Sequence, residues 1–337
     1  MIGIIDPSNQ IDVAMLIKFG LVGQQHRGKH VCGVTVSQLG RNNDAIRERK
    51  STGDVETVLG GQEYDELKKF NGNIGIGCVG HKQPSERHIL PFAASTARRK
   101  AAIVFDGKII NAQELMISLS GHLFQTGSDA EVFLTKIKSI RDSNPSTEEA
   151  IIKAMRNIKG AYSAIVQTTN KLIAVRDPMG IKPLCMGKVD GAIVFASESC
   201  ALDAIRGQFI RDVKPGEIIV ATKDGVITHY TENCPAPEKG TAHCSFEHIY
   251  YANVSSIIDG YSVFDVRRTI GRKLGTLFNK PRVKGRCCCR CSKHRLGIRR
   301  RICGRNRYSV YKCNYVQSVL GKDVCARFRG TLDCRGT

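Results

Sequence analysis

Apolar positions in the first 230 residues fall into short runs. Ile103-Val104-Phe105, Ala164-Ile165-Val166, Leu172-Ile173-Ala174-Val175, Ala192-Ile193-Val194-Phe195 and Ile218-Ile219-Val220 are each β-rich and bounded by Gly, Asp, Asn or Lys, so they predict strands. Lys223-Asp224-Gly225 predicts a hairpin turn between Ile218–Ala221 and Val226–Tyr230. Helical spacing predicts helices over Ile11–Val22, Asp129–Ile140 and Thr147–Ile158, the second opened by Ser128-Asp129 ahead of Glu131. Many hairpin strands with few helices predict an α+β sandwich, not a doubly wound parallel sheet. Thr231–His243 is polar, with two prolines and a glycine, and reads as a linker. After it, Cys244–Asn253 predicts a strand and Val263–Phe278 an amphipathic helix, the start of a second domain. No internal repeat is visible.

Composition divides the chain again. It has 337 residues, a soft prior for two domains, and 42% hydrophobic residues, enough for a core. No run of eighteen apolar residues predicts a membrane helix, and no basic run precedes the apolar Met1–Ile5 stretch as in a secretory signal. The expectation is a soluble, cytoplasmic protein with no membrane partner. The net charge of +20 is unevenly placed. Residues 282–337 hold sixteen Lys and Arg against two acids, Asp323 and Asp333, and eight of the fourteen cysteines. The 281 residues before them read as an ordinary, mildly basic protein.

Several segments taken together carry a resemblance. In order they are Gln25-His26-Arg27-Gly28, Asp106–Asn111, Thr126–Val132, Arg176-Asp177-Pro178-Met179-Gly180 through Leu184, Ala196–Asp203, Phe209–Glu217 and Phe246–Ala252. The Arg-Asp-Pro-x-Gly stretch alone suggests the wider class of glutamine amidotransferases with an N-terminal nucleophile. With the stretches from Ser197 to Glu217 and at Phe246, residues 1–284 resemble the amidophosphoribosyltransferases of purine synthesis. The resemblance implies an N-terminal-nucleophile-type αββα sandwich over 1–230 that releases ammonia from glutamine. It implies a linker at 231–243 and the start of an incomplete α/β phosphoribosyltransferase-like segment at 244–284. Members use Mg and, in some cases, a 4Fe-4S cluster, and form homo-oligomers.

Amide hydrolysis needs a nucleophile, a base, an oxyanion hole and an anchor for the substrate's charged end. The family's nucleophile is a cysteine freed as residue one by loss of Met, with its own amine as base. Here Ile2 stands in that position; it has no nucleophilic atom, and its bulk hinders removal of Met1. Ile2 also reads simply as part of a buried first strand. Arg27 and Gly28 match the family's glutamine-contacting loop, Asp129 the carboxylate that pairs with the substrate amine, and Gly107 one oxyanion donor. Arg27 and Asp129 also have plainer readings, a surface ion pair and a helix N-cap, which the family match outweighs, more for Asp129 than for Arg27. The second oxyanion donor should be asparagine and is Asp106, which when ionised only accepts. Loss of one such donor costs about 10²–10³ in rate. The substrate-binding arginine of the family is Gly80. Cys32 and Cys78 could substitute as nucleophiles, but free cysteine is commonly a small buried residue. The expectation is a family member without glutaminase activity. Its alternative is a non-catalytic glutamine-binding or scaffold module.

Residues 285–337 admit three readings. Cys288-x-x-Cys291 with His294, Cys303 and Cys313 could hold zinc, and Arg299-Arg300-Arg301 with Tyr308, Tyr311 and Tyr315 could meet nucleic acid. The third reading is out-of-frame translation. Read one base later with suitable codons, Arg286–Lys293, Asn306–Lys312 and Tyr315–Val324 yield Asp-Val-Val-Ala, Gly-Ile-Pro-Phe and Ser-Arg-Tyr-Leu-Ala-Arg-Thr-Phe, which resemble three successive stretches of the family's transferase domain. This third reading is preferred, which argues against nucleic acid and zinc as partners. No acidic pair precedes Arg335-Gly336-Thr337, so the phosphate-cradling loop of the family is not matched. Cys244 matches the family's first iron–sulfur ligand, but the chain offers no match to the others, so no cofactor is expected.

Overall fold

A computed structural model describes residues 1–39, 46–95, 100–141, 146–230 and 241–278. Residues 231–240 of the expected 231–243 linker, and the basic tail with its zinc, nucleic-acid and frame-slip readings, lie outside these residues. Strand β1 (Ile2–Ile5) leads into helix α1 (Val13–Gly23), then β2 (Val31–Ser37), β3 (Arg47–Thr52), short α2 (Val55–Val58), α3 (Gln62–Lys69) and β4 (Ile74–Gly80). Next come β5 (Phe92–Ser95), β6 (Lys100–Ile109), α4 (Ala112–Ser118), α5 (Asp129–Arg141) and α6 (Thr147–Met155). The body ends with β7 (Gly160–Thr168), β8 (Leu172–Arg176), β9 (Cys185–Val189), β10 (Ala192–Ala196), α7 (Cys200–Ala204), β11 (Gln208–Asp212), β12 (Glu217–Thr222) and β13 (Gly225–Tyr230).

The strands form two antiparallel sheets, ordered β11-β9-β10-β1-β4-β2-β3 and β13-β12-β8-β7-β6-β5. Three apolar layers alternate with them. The first lies under α1, α2, α3 and α7 and takes Ile2, Ile4, Ile17 and Leu21. The second lies between the sheets and takes Met1, Ile5, Val104 and Ile165. The third lies under α5 and α6, where Phe133 packs against Phe105 and Tyr162. This is an αββα sandwich. The inner strands are covered on both faces, so β1, β8 and β10 are buried at successive positions and do not alternate, whereas the edge strand β3 is polar and exposed or half-buried. Ile4 therefore faces the helices while Ile5 faces the other sheet. Helix ends follow local chemistry: Asp12 caps α1 by accepting from the Met15 amide, and Ser146 and Glu149 form a capping box on α6.

The elements expected from the pattern are present, with ends shifted by a few residues. One expectation fails. Cys244–Asn253 is not a strand; Glu247–Tyr251 forms a wide helical turn. Phe246, Ile249 and Tyr250, apolar at helical spacing, remain partly exposed, while Glu247 and Tyr251, four residues apart, share the face turned to the body. After the turn come β14 (Ile257–Ile258), β15 (Tyr261–Ser262) and α8 (Val263–Phe278). The apolar cluster of this segment is small: Ala252, Ile258 and Val263. No helix among the described residues is long and apolar enough to cross a membrane.

Candidate functional site

Strand β1 carries the position where chemistry would start. The Ile2 side chain is fully buried in the helix-side layer, its Cδ1 2.3 Å from where a Cβ on Gly20 would sit. It is a packing residue aimed away from the inter-sheet layer. The amine of Met1 donates to Gln24 Oε1 (3.3 Å) and Ser197 Oγ (3.2 Å). Burial and then the nearby Arg27 hold that amine below its ordinary pKa.

Arg27 follows α1 on a single 3-10 turn, and its side chain is only 4% exposed. It is no surface ion pair. Its guanidinium donates to Asp106 Oδ2 (2.8 Å), Glu198 Oε1 (2.6 Å) and both oxygens of Glu247 (3.1 Å each). The ring of Tyr251 lies 4.5 Å from the guanidinium carbon, and the Tyr251 hydroxyl donates to the Arg27 carbonyl. A second cation, Lys182, reaches Asp106 (3.0 Å) and Glu247 (3.6 Å). His26 Nε2 meets Glu198 Oε1 at 2.7 Å. The other Glu198 oxygen accepts from the Asn253 amide and the Ser256 hydroxyl.

The charges settle one another. Burial alone would raise the Asp106 carboxyl, but Arg27, Lys182 and the Met1 amine hold it well below the usual carboxylate range. Glu198 is likewise opposed by burial, and its bonds to His26 and Arg27 keep it ionised. Burial would lower Lys182 and Arg27; the acids around them raise both instead. At neutral pH the position of the expected asparagine donor is thus a carboxylate held by two cations. Such a group repels a developing oxyanion.

Other residues singled out in the sequence fall nearby. Gly107, at φ +141°, lies so close to β7 that a Cβ would sit 2.1 Å from the Ala161 carbonyl, so glycine is needed there. A Cβ on Gly28 would sit 2.4 Å from the Gly80 Cα; these two glycines let the Arg27 turn close against β4. Asp129, the first residue of α5, accepts from Lys108 Nζ (3.1 Å) and the Ile109 amide (3.3 Å). It does not cap its own helix; Ser128 does, accepting from the Glu131 amide. Cys32 and Cys78 are buried; burial pushes Cys78 up to about 12 and Cys32 higher still, which leaves neither as a thiolate.

Glu198, Glu247, Lys182, His26 and Tyr251 were given no role by the sequence. They lie inside the stretches that carry the resemblance, but nothing local marks them as partners of Arg27. Among the described residues one trio has metal-ligand spacing, and its donor set can be tested. Ligand atoms of His26, Glu198 and Cys200 lie within 4.8 Å of one another. Both Glu198 oxygens are already taken, Arg27 is beside them, and burial raises the Cys200 thiol to about 12, so this trio does not suit a cation. Cys244 is the one cysteine of 241–278; the eight cysteines from Cys287 onward lie outside the described residues.

Comparison with known proteins agrees with this architecture. Residues 81–204 match a glutamine amidotransferase domain model. The amidophosphoribosyltransferase of Methanocaldococcus jannaschii is 33% identical over 281 residues, 79% of this chain and 58% of that one. The solved structure of an allosteric regulatory enzyme of purine biosynthesis superposes with a TM-score of 0.74 at 27% identity, covering 83% of this chain and 58% of that chain. A glutamine phosphoribosylpyrophosphate amidotransferase from B. subtilis superposes with a TM-score of 0.76 at 24% identity over 91% of this chain and 64% of its own, which supports the fold. The chain spans somewhat over half the length of these relatives. Over about four-fifths of its own length, it belongs to the amidophosphoribosyltransferase family.

Proposed function

We propose that this chain is an amidophosphoribosyltransferase relative whose body, residues 1–230, no longer hydrolyses glutamine. It serves instead as a non-catalytic platform for the segment that begins at 244. The single observation that carries this is the Asp106–Arg27 ion pair. It supports this reading because the resemblance expects an N–H donor at position 106 and a glutamine contact from the Arg27 loop, whereas here Asp106 and Arg27 are paired with each other. Ile2 and Gly80 point the same way, since neither can supply a nucleophile or a cation. The family's conversion of glutamine and phosphoribosyl pyrophosphate to phosphoribosylamine is thus an ancestral activity in this reading, and the frame-slip reading of 285–337 fits it.

Glutamate release from glutamine by the purified full chain tests it. The parent is expected to stay at the blank. Asp106→Asn alone is expected to stay there too, and Ile2→Cys combined with Asp106→Asn to give weak turnover at most. Glutamate release by the parent, abolished by Asp129→Ala, would overturn the proposal. The alternative reading, a glutamine-binding module, has less support because Asp129 and Arg27 already have protein partners.

A further inference from the structure

Arg176 closes β8 and is 1% exposed, yet no role in glutamine chemistry attaches to it. Every donor nitrogen of its side chain is used. Nε donates to the Lys182 carbonyl (2.8 Å), Nη1 to the Val213 carbonyl (2.6 Å), and Nη2 to the Gly180 carbonyl (2.7 Å). The remaining fork grips Asp259 through both carboxylate oxygens, at 2.6 and 2.9 Å. Asp259 and Gly260, at φ +49° and +78°, form the two-residue turn joining β14 to β15. His243 Nδ1 stands 2.7 Å from the same carboxylate, and the Gly260 amide donates to Asp212. A planar fork with fixed donors suits this bidentate grip and fixes both partners in orientation.

The loop that Arg176 grips from behind is the loop that presents Lys182 to Asp106 and Glu247. Within it, Asp177 accepts from the Met179, Ile181 and Lys182 amides. Segment 241–278 therefore touches the ion cluster twice: directly through Glu247, Asn253 and Ser256, and indirectly through Asp259, Arg176 and the 177–183 loop. We propose that Arg176 is a positioning residue and that the Asp259–Gly260 turn is its ligand. Docking of this turn and placement of Lys182 in the site are one cooperative event. This holds whether or not glutamine is turned over, so its test is independent of the platform reading.

Amide hydrogen exchange on the full chain is the test. In the parent under mild denaturant, amides of 243–262 and of 179–182 are expected to open together, with one common denaturant dependence, while α5 stays closed. In Asp259→Asn, exchange at Ile181 and Lys182 is expected to rise at least tenfold along with 243–262, with α5 unchanged. Arg176→Lys, which keeps the charge but loses the fork, is expected to behave like Asp259→Asn. A parent in which 179–182 stays protected while 243–262 opens would overturn the proposal, even if both variants fail to fold. So would an Asp259→Asn protein whose added exchange is confined to 257–262.

Discussion

The two-sheet body and the 241–278 segment are held by different physics. The body rests on three apolar layers, each fed by strands buried on both faces. The segment has three residues in its own apolar cluster and is fastened by charge: Glu247 on Arg27, Asp259 on Arg176, and its amide and hydroxyl groups on Glu198. Apolar layers tolerate some change of shape, whereas a buried fork and carboxylate fail when one partner is lost. The candidate site lies where these two regimes meet: Arg27, which the resemblance assigns to a glutamine-contacting loop, is bonded to the docked segment through Glu247.

The comparison breaks most visibly in the body. Phe133→Ala opens a hole beside Phe105 and Tyr162 and is expected to cost about 3–5 kcal/mol, read as a lower urea midpoint for the whole chain. Glu198→Ala is expected to cost up to a similar amount, about 3 kcal/mol, because it removes a buried carboxylate that holds Arg27, His26, Asn253 and Ser256 together, with Arg27 keeping Asp106 and Glu247. Unlike Phe133→Ala, it should loosen the segment more than α5, which exchange on each region separates. Glu247→Gln is a smaller probe. Removing one charged acceptor is expected to cost about 1.5–3 kcal/mol and to raise protease cleavage in 241–278 while sparing 129–141.

Acid sharpens the same contrast. Asp106 and Glu198 titrate lower in the folded chain than their ordinary 3.8 and 4.5. Their contribution to stability is therefore complete above the ordinary values and is lost as pH falls below about 4.5 toward the folded values. Segment 241–278 should come free in that window before the apolar layers give way, seen as selective exchange at pH 3–4. The smallest effect belongs to Lys108→Ala. The Lys108 side chain is 76% exposed, although Asp129 beneath it is not, and the pair should change stability by no more than about 1 kcal/mol.

Apolar periodicity and turn residues made most of the body legible, because helices and hairpins are local. The Lys223–Gly225 turn announces itself within three residues. The strand expected at Cys244–Asn253 failed for a physical reason: Glu247 and Tyr251 must reach the same guanidinium, and a helical turn places them on one face. Ile2, Asp106 and Gly80 were legible as departures once the resemblance was recognised. The closure of the site was not. Arg27 meets Glu198 and Glu247 across 171 and 220 residues, and no local pattern encodes those pairings.

Calorimetric titration of the full chain with glutamine tests the central claim most directly. Arg27 is engaged by three carboxylates and Asp129 by Lys108 and a backbone amide, so no saturable heat is expected at millimolar glutamine. Saturable binding that Asp129→Ala or Arg27→Met abolishes would show that these groups remain open to the amino acid, and would contradict the account.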